Sequence, residues 1–200
     1  MMTTKFAYGF GIFLLILAVW ISILSAPIVI RLLTYELSPE PTLKSVEWFT
    51  VIRVIDGDTV VLNTGQTVRY IGIDTPELRH PQTGKQCYGE EAKQANEALL
   101  AGHQVQLVTD ISETDRYGRL LRYLYRDDGV FVNDALVRAG FAFAYPYPPD
   151  VREQPLLRES QADAKQKGLG VWSNCVITQT PASGYFQTQA LLSNGANKKE

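Results

Sequence analysis

Two β-prone runs constrain this chain more than any other feature of it: Val54-Ile55-Asp56-Gly57-Asp58-Thr59-Val60 and Val68-Arg69-Tyr70-Ile71-Gly72-Ile73-Asp74-Thr75-Pro76-Glu77. Each is apolar with acidic residues at one end, and Asp56-Gly57 is a dipeptide that turns one strand back on the next. If the strands pair, Asp58 and Asp74 can meet, with Arg69 and Glu77 nearby. Two carboxylates offer hard oxygen ligands for a divalent cation. An arginine offers a planar fork for a phosphate, and a third carboxylate can take a proton from water. Arg69 and Asp74 are five positions apart, so a regular strand would put them on opposite faces. A bulge or strand end has to re-aim one of them, and Gly72 is a plausible place for it.

The rest of the chain reads as a small α+β domain. Strands are expected over 48–55, 59–62 and 67–73, separated by Asp56-Gly57 and by Asn63-Thr64-Gly65-Gln66 and stopped at Pro76. A helix is expected over 88–101, where Ala92, Ala95, Leu99 and Leu100 fall near helical spacing and Gly102 ends it. Strands over 104–109 and 120–125 follow. Two further helices cover 132–139, with Gly140 as its cap, and 153–167, ended by Gly168. Phe141 and Phe143 alternate as a core strand, leaving Tyr145 and Tyr147 beside prolines and nearer the surface. Five strands with a helix between the third and fourth is the order of an OB-fold barrel, whose face commonly binds single-stranded nucleic acid.

Five further segments carry a family resemblance: Thr114-Asp115-Arg116-Tyr117-Gly118-Arg119, Pro76-Glu77-Leu78-Arg79-His80-Pro81, Tyr88-Gly89-Glu90-Glu91-Ala92, Val132 to Gly140, and Gly168-Leu169-Gly170-Val171-Trp172-Ser173. Together with the two opening runs, and in this order, they resemble the thermonuclease (staphylococcal nuclease) family over residues 47–175. The resemblance implies a five-stranded OB-fold β-barrel with three helices and a calcium-dependent endonuclease. Such an enzyme cuts DNA and RNA with little sequence preference, leaving 3′-phosphate and 5′-hydroxyl ends. It also implies calcium ligands at the side chains of Asp58 and Asp74 and the backbone carbonyl of Thr75, with Asp56 a candidate to hold one of the ion's waters. Arg69 and Arg119 would clamp the phosphate, and Glu77 would activate or position the attacking water. Tyr117, Tyr145 and Tyr147 are candidates for stacking on bases, an interaction that tolerates any sequence. A rival expectation is a catalytically silent OB-fold module that binds nucleic acid or protein at the membrane. The presence of Asp58, Arg69, Asp74, Glu77 and Arg119 together favours the enzyme.

Charge adds a constraint. Residues 47–175 hold 14 Lys and Arg against 18 Asp and Glu, a formal charge of −4. Non-specific nucleic-acid binders are usually basic, so the arginines and a bound cation would have to supply the local positive field. His80 and His103 are isolated and read as a solvated loop residue and a structural one. No spacing of histidine and cysteine suggests zinc.

The N-terminus is a separate object. After the tail 1–5, Phe6 to Ile30 is 25 residues without a charge, and roughly 20 apolar residues span a bilayer. The expectation is a transmembrane helix or uncleaved signal anchor over 6–30, then a Pro- and Glu-containing linker over 31–46. The nuclease-like domain, 47–175, would stand outside the cytoplasm on a single-pass anchor. The alternative is a secreted protein cut near Ser25-Ala26, although Pro27 makes a poor junction. Cys87 and Cys175 are either two thiols or one disulfide tying the start of the first helix to the end of the last. A disulfide would imply an oxidising compartment. Residues 176–200 are polar and aperiodic and read as a disordered tail. No feature demands a protein partner, and a monomer is expected.

Overall fold

The computed structural model describes residues 46–78, 84–180 and 184–191. The expected membrane segment 6–30, the linker up to residue 45 and His80 lie outside these residues. Among the described residues no helix is long and apolar enough to cross a membrane.

The chain is α+β. Strands β1 (Phe49–Val54), β2 (Thr59–Leu62), β3 (Thr67–Tyr70), β5 (Gln104–Val108) and β6 (Leu120–Arg126) form a closed barrel in the order β1-β2-β3-β6-β5. The pairs are antiparallel except β3 with β6, which run parallel with Arg69 opposite Leu121. Closure rests on a short seam between β1 and β5, where Phe49 faces Val105 and Thr50 faces Gln104. Val60, Leu62, Val68, Tyr70, Val105 and Leu124 alternate inward and fill the barrel. By the same alternation Arg69 points outward.

The expected third strand, 67–73, is in fact two pieces. β3 ends at Tyr70, and β4 (Ile73–Asp74) pairs instead with β7 (Phe143–Ala144), Asp74 opposite Phe143. The break is at Ile71-Gly72, with Gly72 at φ +79°, a conformation glycine adopts without a Cβ penalty. Three groups secure it. Asn133 Nδ2 donates to the Ile71 carbonyl at 2.9 Å, while Gln154 Nε2 and the Tyr145 N–H donate to that of Gly72 at 2.9 and 2.8 Å.

Helix α1 (Gly89–Leu100) follows β4, α2 (Val132–Arg138) follows β6, and α3 (Gln154–Gln166) follows β7. Leu136 and Val137 of α2 and Leu157 of α3 are buried in the same core as the barrel. A short fourth helix, α4 (Val171–Asn174), goes beyond the three expected from sequence.

The expected disordered tail, 176–200, needs correcting over 176–180 and 184–191, and the rest of it lies outside the described residues. Strands β8 (Cys175–Gln179) and β9 (Phe186–Ala190) pair as an antiparallel hairpin, Val176 opposite Gln189 and Thr178 opposite Gln187. Its composition is polar, but its base is tied down. Cys175 forms a disulfide with Cys87, Cα atoms 6.0 Å apart, and the buried Thr188 hydroxyl donates to the Cys87 carbonyl at 2.7 Å.

Candidate active site

The β1–β2 turn and the β3–β4 break deliver opposite halves of one cluster. In the turn, the Ile55 N–H donates to the Thr59 carbonyl, and the Asp58 N–H donates to Asp56 Oδ1 at 3.1 Å. Asn96 on α1 supports the turn from below, giving its Nδ2 to the Asp56 carbonyl at 3.3 Å while accepting the Tyr70 hydroxyl at 3.0 Å. The chain at Gly57 runs so close to Thr75 that a Cβ there would sit 2.7 Å from the threonine methyl. That close approach lets Asp58 reach Thr75. Asp58 Oδ2 accepts both the Thr75 N–H and the Thr75 hydroxyl at 2.9 Å, and Oδ1 accepts the Thr59 hydroxyl at 3.1 Å.

Arg69 stands between the two aspartates. Its Nη2 donates to Asp74 Oδ1 at 2.8 Å, and its Nη1 is in ion-pair contact with Asp58 Oδ2. The latter contact is off the hydrogen-bond direction, and Nη1 is buried without a hydrogen bond. The five-residue spacing between Arg69 and Asp74 is therefore reconciled at Gly72.

The electrostatics of the cluster are lopsided. Burial, reinforced by the Asp58 carboxylate, pushes Asp56 up to about 7. Burial pushes Asp74 up to about 8 against the pull of the Arg69 guanidinium, with Asp58 and Glu77 adding to the rise. Burial works against the Arg69 charge, but Asp58, Asp74 and Asp56 more than offset it and hold the guanidinium protonated. One guanidinium thus faces three carboxyl groups that burial makes costly to ionise together, an oxygen-rich set on which a divalent cation would supply the charge that lets them ionise.

Glu77 leaves the end of this cluster. Its backbone is clamped by Gln86: the Glu77 N–H donates to Gln86 Oε1 and the Gln86 N–H to the Glu77 carbonyl, both at 2.9 Å. Its side chain accepts the Tyr185 hydroxyl at 3.5 Å. The β3–β6 register places Arg119 just before β6, beside the start of β3, on the outward face shared with Arg69 and Leu121. Asp115 holds Arg119 through Nε at 2.7 Å, and also accepts the backbone N–H groups of Arg119 and Tyr117. Tyr117 and Tyr147 are 67% and 65% exposed, and the Tyr117 ring lies under both Arg116 and Arg119. Tyr145 is half-buried and meets Tyr185 edge-on at 6.1 Å.

The structure therefore joins Asp58, Arg69, Asp74 and Thr75 directly, and places Asp56 beside them. The Thr75 contacts run through its N–H and hydroxyl. Tyr185 was not foreseen from sequence: it lies 108 residues from Glu77 in a stretch with no periodic signal. A second group, His103, Asp127 and Asp128, also brings ligand-type atoms within 4.8 Å of one another. It is exposed in part and already committed, with His103 on Asp127 at 2.6 Å and Arg126 on Asp128.

Residues 67–174 match the family described as "Staphylococcal nuclease homologue". The chain is similar to the thermonuclease of Staphylococcus hyicus, 39% identical over 129 residues, covering 63% of this chain and 76% of the relative. It is similar to the thermonuclease of Staphylococcus intermedius, 36% identical over 158 residues, covering 75% of this chain and 94% of the relative. It is also similar to endonuclease YncB of Bacillus subtilis, 40% identical over 129 residues, covering 62% and 61%.

Proposed function

The chain belongs to the staphylococcal nuclease family and is a nuclease hydrolase, and from that premise we propose that it is a calcium-dependent endonuclease of DNA and RNA with little sequence preference. The observation that carries the reading is the buried Asp58–Arg69–Asp74 cluster, in which one guanidinium faces an excess of carboxyl groups. Side chains of Asp58 and Asp74 and the backbone carbonyl of Thr75 would hold calcium. The bound ion would supply fixed positive charge against the phosphate and favour ionisation of nearby water.

The chain's own residues do the rest. Glu77 takes a proton from, or positions, the water that attacks phosphorus opposite the 5′-oxygen. Positioning of that water is a close second role for it. The bond from phosphorus to the 5′-oxygen breaks, the leaving oxygen takes a proton from solvent, and the products are a 3′-phosphate and a 5′-hydroxyl. Arg69 and Arg119 donate to the non-bridging oxygens, where charge grows in the pentacoordinate state. Tyr117, Tyr145 and Tyr147 support the flanking nucleotides by stacking.

The enzyme is a monomer whose residues 6–30 anchor it in the cell membrane, with the nuclease domain, 47–175, outside the cytoplasm. The uncharged stretch and the Cys87–Cys175 disulfide support this placement; release by signal cleavage is the alternative.

Digestion of plasmid DNA and of RNA, with calcium, magnesium or excess chelator, tests the reading. Cleavage of both substrates in calcium is expected, with little in magnesium, whose smaller octahedral shell suits the site less well. Full activity in chelator would remove the metal from the reaction, and 5′-phosphate ends would reverse the assigned direction of attack.

A further inference from the structure

The C-terminal hairpin β8–β9 is joined to the same short segment that fixes Glu77. Gln86 clamps the Glu77 backbone through two hydrogen bonds of 2.9 Å. The adjacent Cys87 carries the disulfide to Cys175 at the base of β8. It also donates its N–H to the Thr188 carbonyl at 3.3 Å and accepts the Thr188 hydroxyl at 2.7 Å on β9. Further along β9, the Phe186 ring stacks on Phe143 at 4.4 Å, and Phe143 is the strand partner of Asp74. Hairpin, Glu77 loop and Asp74 strand are thus held in one register. The next residue toward the hairpin loop is Tyr185, whose hydroxyl lies 3.5 Å from Glu77 Oε1 and whose ring meets Tyr145 edge-on. Burial, with the carboxylates of Asp74, Glu77 and Asp58, pushes the Tyr185 phenol above its ordinary range, so the group remains an O–H donor.

We propose that Tyr185 is a positioning residue of the nuclease: its hydroxyl donates to the Glu77 carboxylate and orients it toward the attacking water, and the disulfide-tethered hairpin carries Tyr185 to that point. The inference rests on the role given to Glu77 above. A separation of 3.5 Å is long for this bond, as contacts of reacting groups often are before substrate binds.

A double-mutant cycle on the full chain tests it, with kcat and KM measured on DNA in calcium chloride. Glu77→Gln should lower kcat by roughly a hundredfold or more. Tyr185→Phe should lower kcat by roughly 3- to 10-fold, as loss of one hydrogen bond to a charged group would. Its KM should stay within about twofold of wild type, and its melting temperature should not change. In the Glu77→Gln background, Tyr185→Phe should have no further effect. The Cys87→Ser/Cys175→Ser protein should show the same loss of kcat as Tyr185→Phe and be insensitive to adding that change. An unchanged kcat in Tyr185→Phe, or equal losses in both backgrounds, would overturn the assignment to Tyr185 while leaving the nuclease reading intact. Full turnover in Glu77→Gln would overturn the role of Glu77 and this inference with it.

Discussion

Arg69 is asked to satisfy two buried carboxylates and still present a donor to a phosphate. A guanidinium carries five N–H donors in a rigid planar fork: Nη2 is spent on Asp74, and Nη1 is buried against Asp58 without a hydrogen bond. A lysine would keep the charge but concentrate it on one ammonium. Arg69→Lys should therefore lower turnover on DNA by roughly two orders of magnitude, the scale of losing one transition-state donor, as read from steady-state kcat. Near-wild-type kcat would take Arg69 out of the chemistry. Arg119 is a different case. Asp115 accepts two hydrogen bonds from it, through Nε and the backbone N–H, and a third from the Tyr117 N–H, and those bonds, together with the Arg119 charge, outweigh partial burial and keep the Asp115 carboxyl below its ordinary range. That pairing lies wholly inside the hexapeptide Thr114–Arg119, a segment that the sequence marked out by its family resemblance alone.

At the scale of elements, the short break at Ile71-Gly72 decides whether the site exists. It turns the chain between β3 and β4 and lets Asp74 come back to Arg69, and its carbonyls are held by Asn133, Gln154 and the Tyr145 N–H. A Cβ on Gly72 would sit 2.8 Å from Leu157 Cδ1 and 2.9 Å from Gln154 Nε2, at φ +79°. Gly72→Ala should cost about 1–3 kcal/mol of stability, measured by urea unfolding, and should also lower kcat because Asp74 moves relative to Arg69. An alanine variant with native stability and turnover would show that the break tolerates a side chain. The need for this break was readable beforehand, because Arg69 and Asp74 sit at an odd spacing around the glycine. Strand β2 was readable to the residue, since turn dipeptides bound it on both sides. The C-terminal hairpin was not: Gln179, Gln187 and Gln189 interrupt any apolar alternation, and its order comes from Cys87 and Phe143, 88 and 43 residues away from their partners Cys175 and Phe186. Tyr185 was hidden for the same reason, since only the fold brings it to Glu77.

At the scale of the whole molecule, the Cys87–Cys175 bond closes a chain separation of 88 residues. Restricting the unfolded chain over that length stabilises the fold by roughly 4–5 kcal/mol in the entropy model, an upper figure because native strain subtracts from it. Cys87→Ser/Cys175→Ser should therefore melt well below the parent, and the parent should shift toward it in reductant; equal melting temperatures would show that the bond adds nothing. If residues 6–30 act as an anchor, the full chain should sediment with membranes, and protease added to intact cells should degrade the nuclease domain. A soluble product beginning near Pro27 would mean that the segment is removed. The barrel itself is fastened unevenly. Its seam is two residue pairs, Phe49 with Val105 and Thr50 with Gln104, while β5 and β6 share four. It behaves as a belt with a short buckle: undoing the buckle leaves the β1–β2–β3 and β5–β6 pairings intact as a curled open sheet. Such partial openings need less free energy than global unfolding. In deuterium exchange the amides at the seam should take up label well before those of β6, and equal protection across both would mean that the belt and its buckle come apart together.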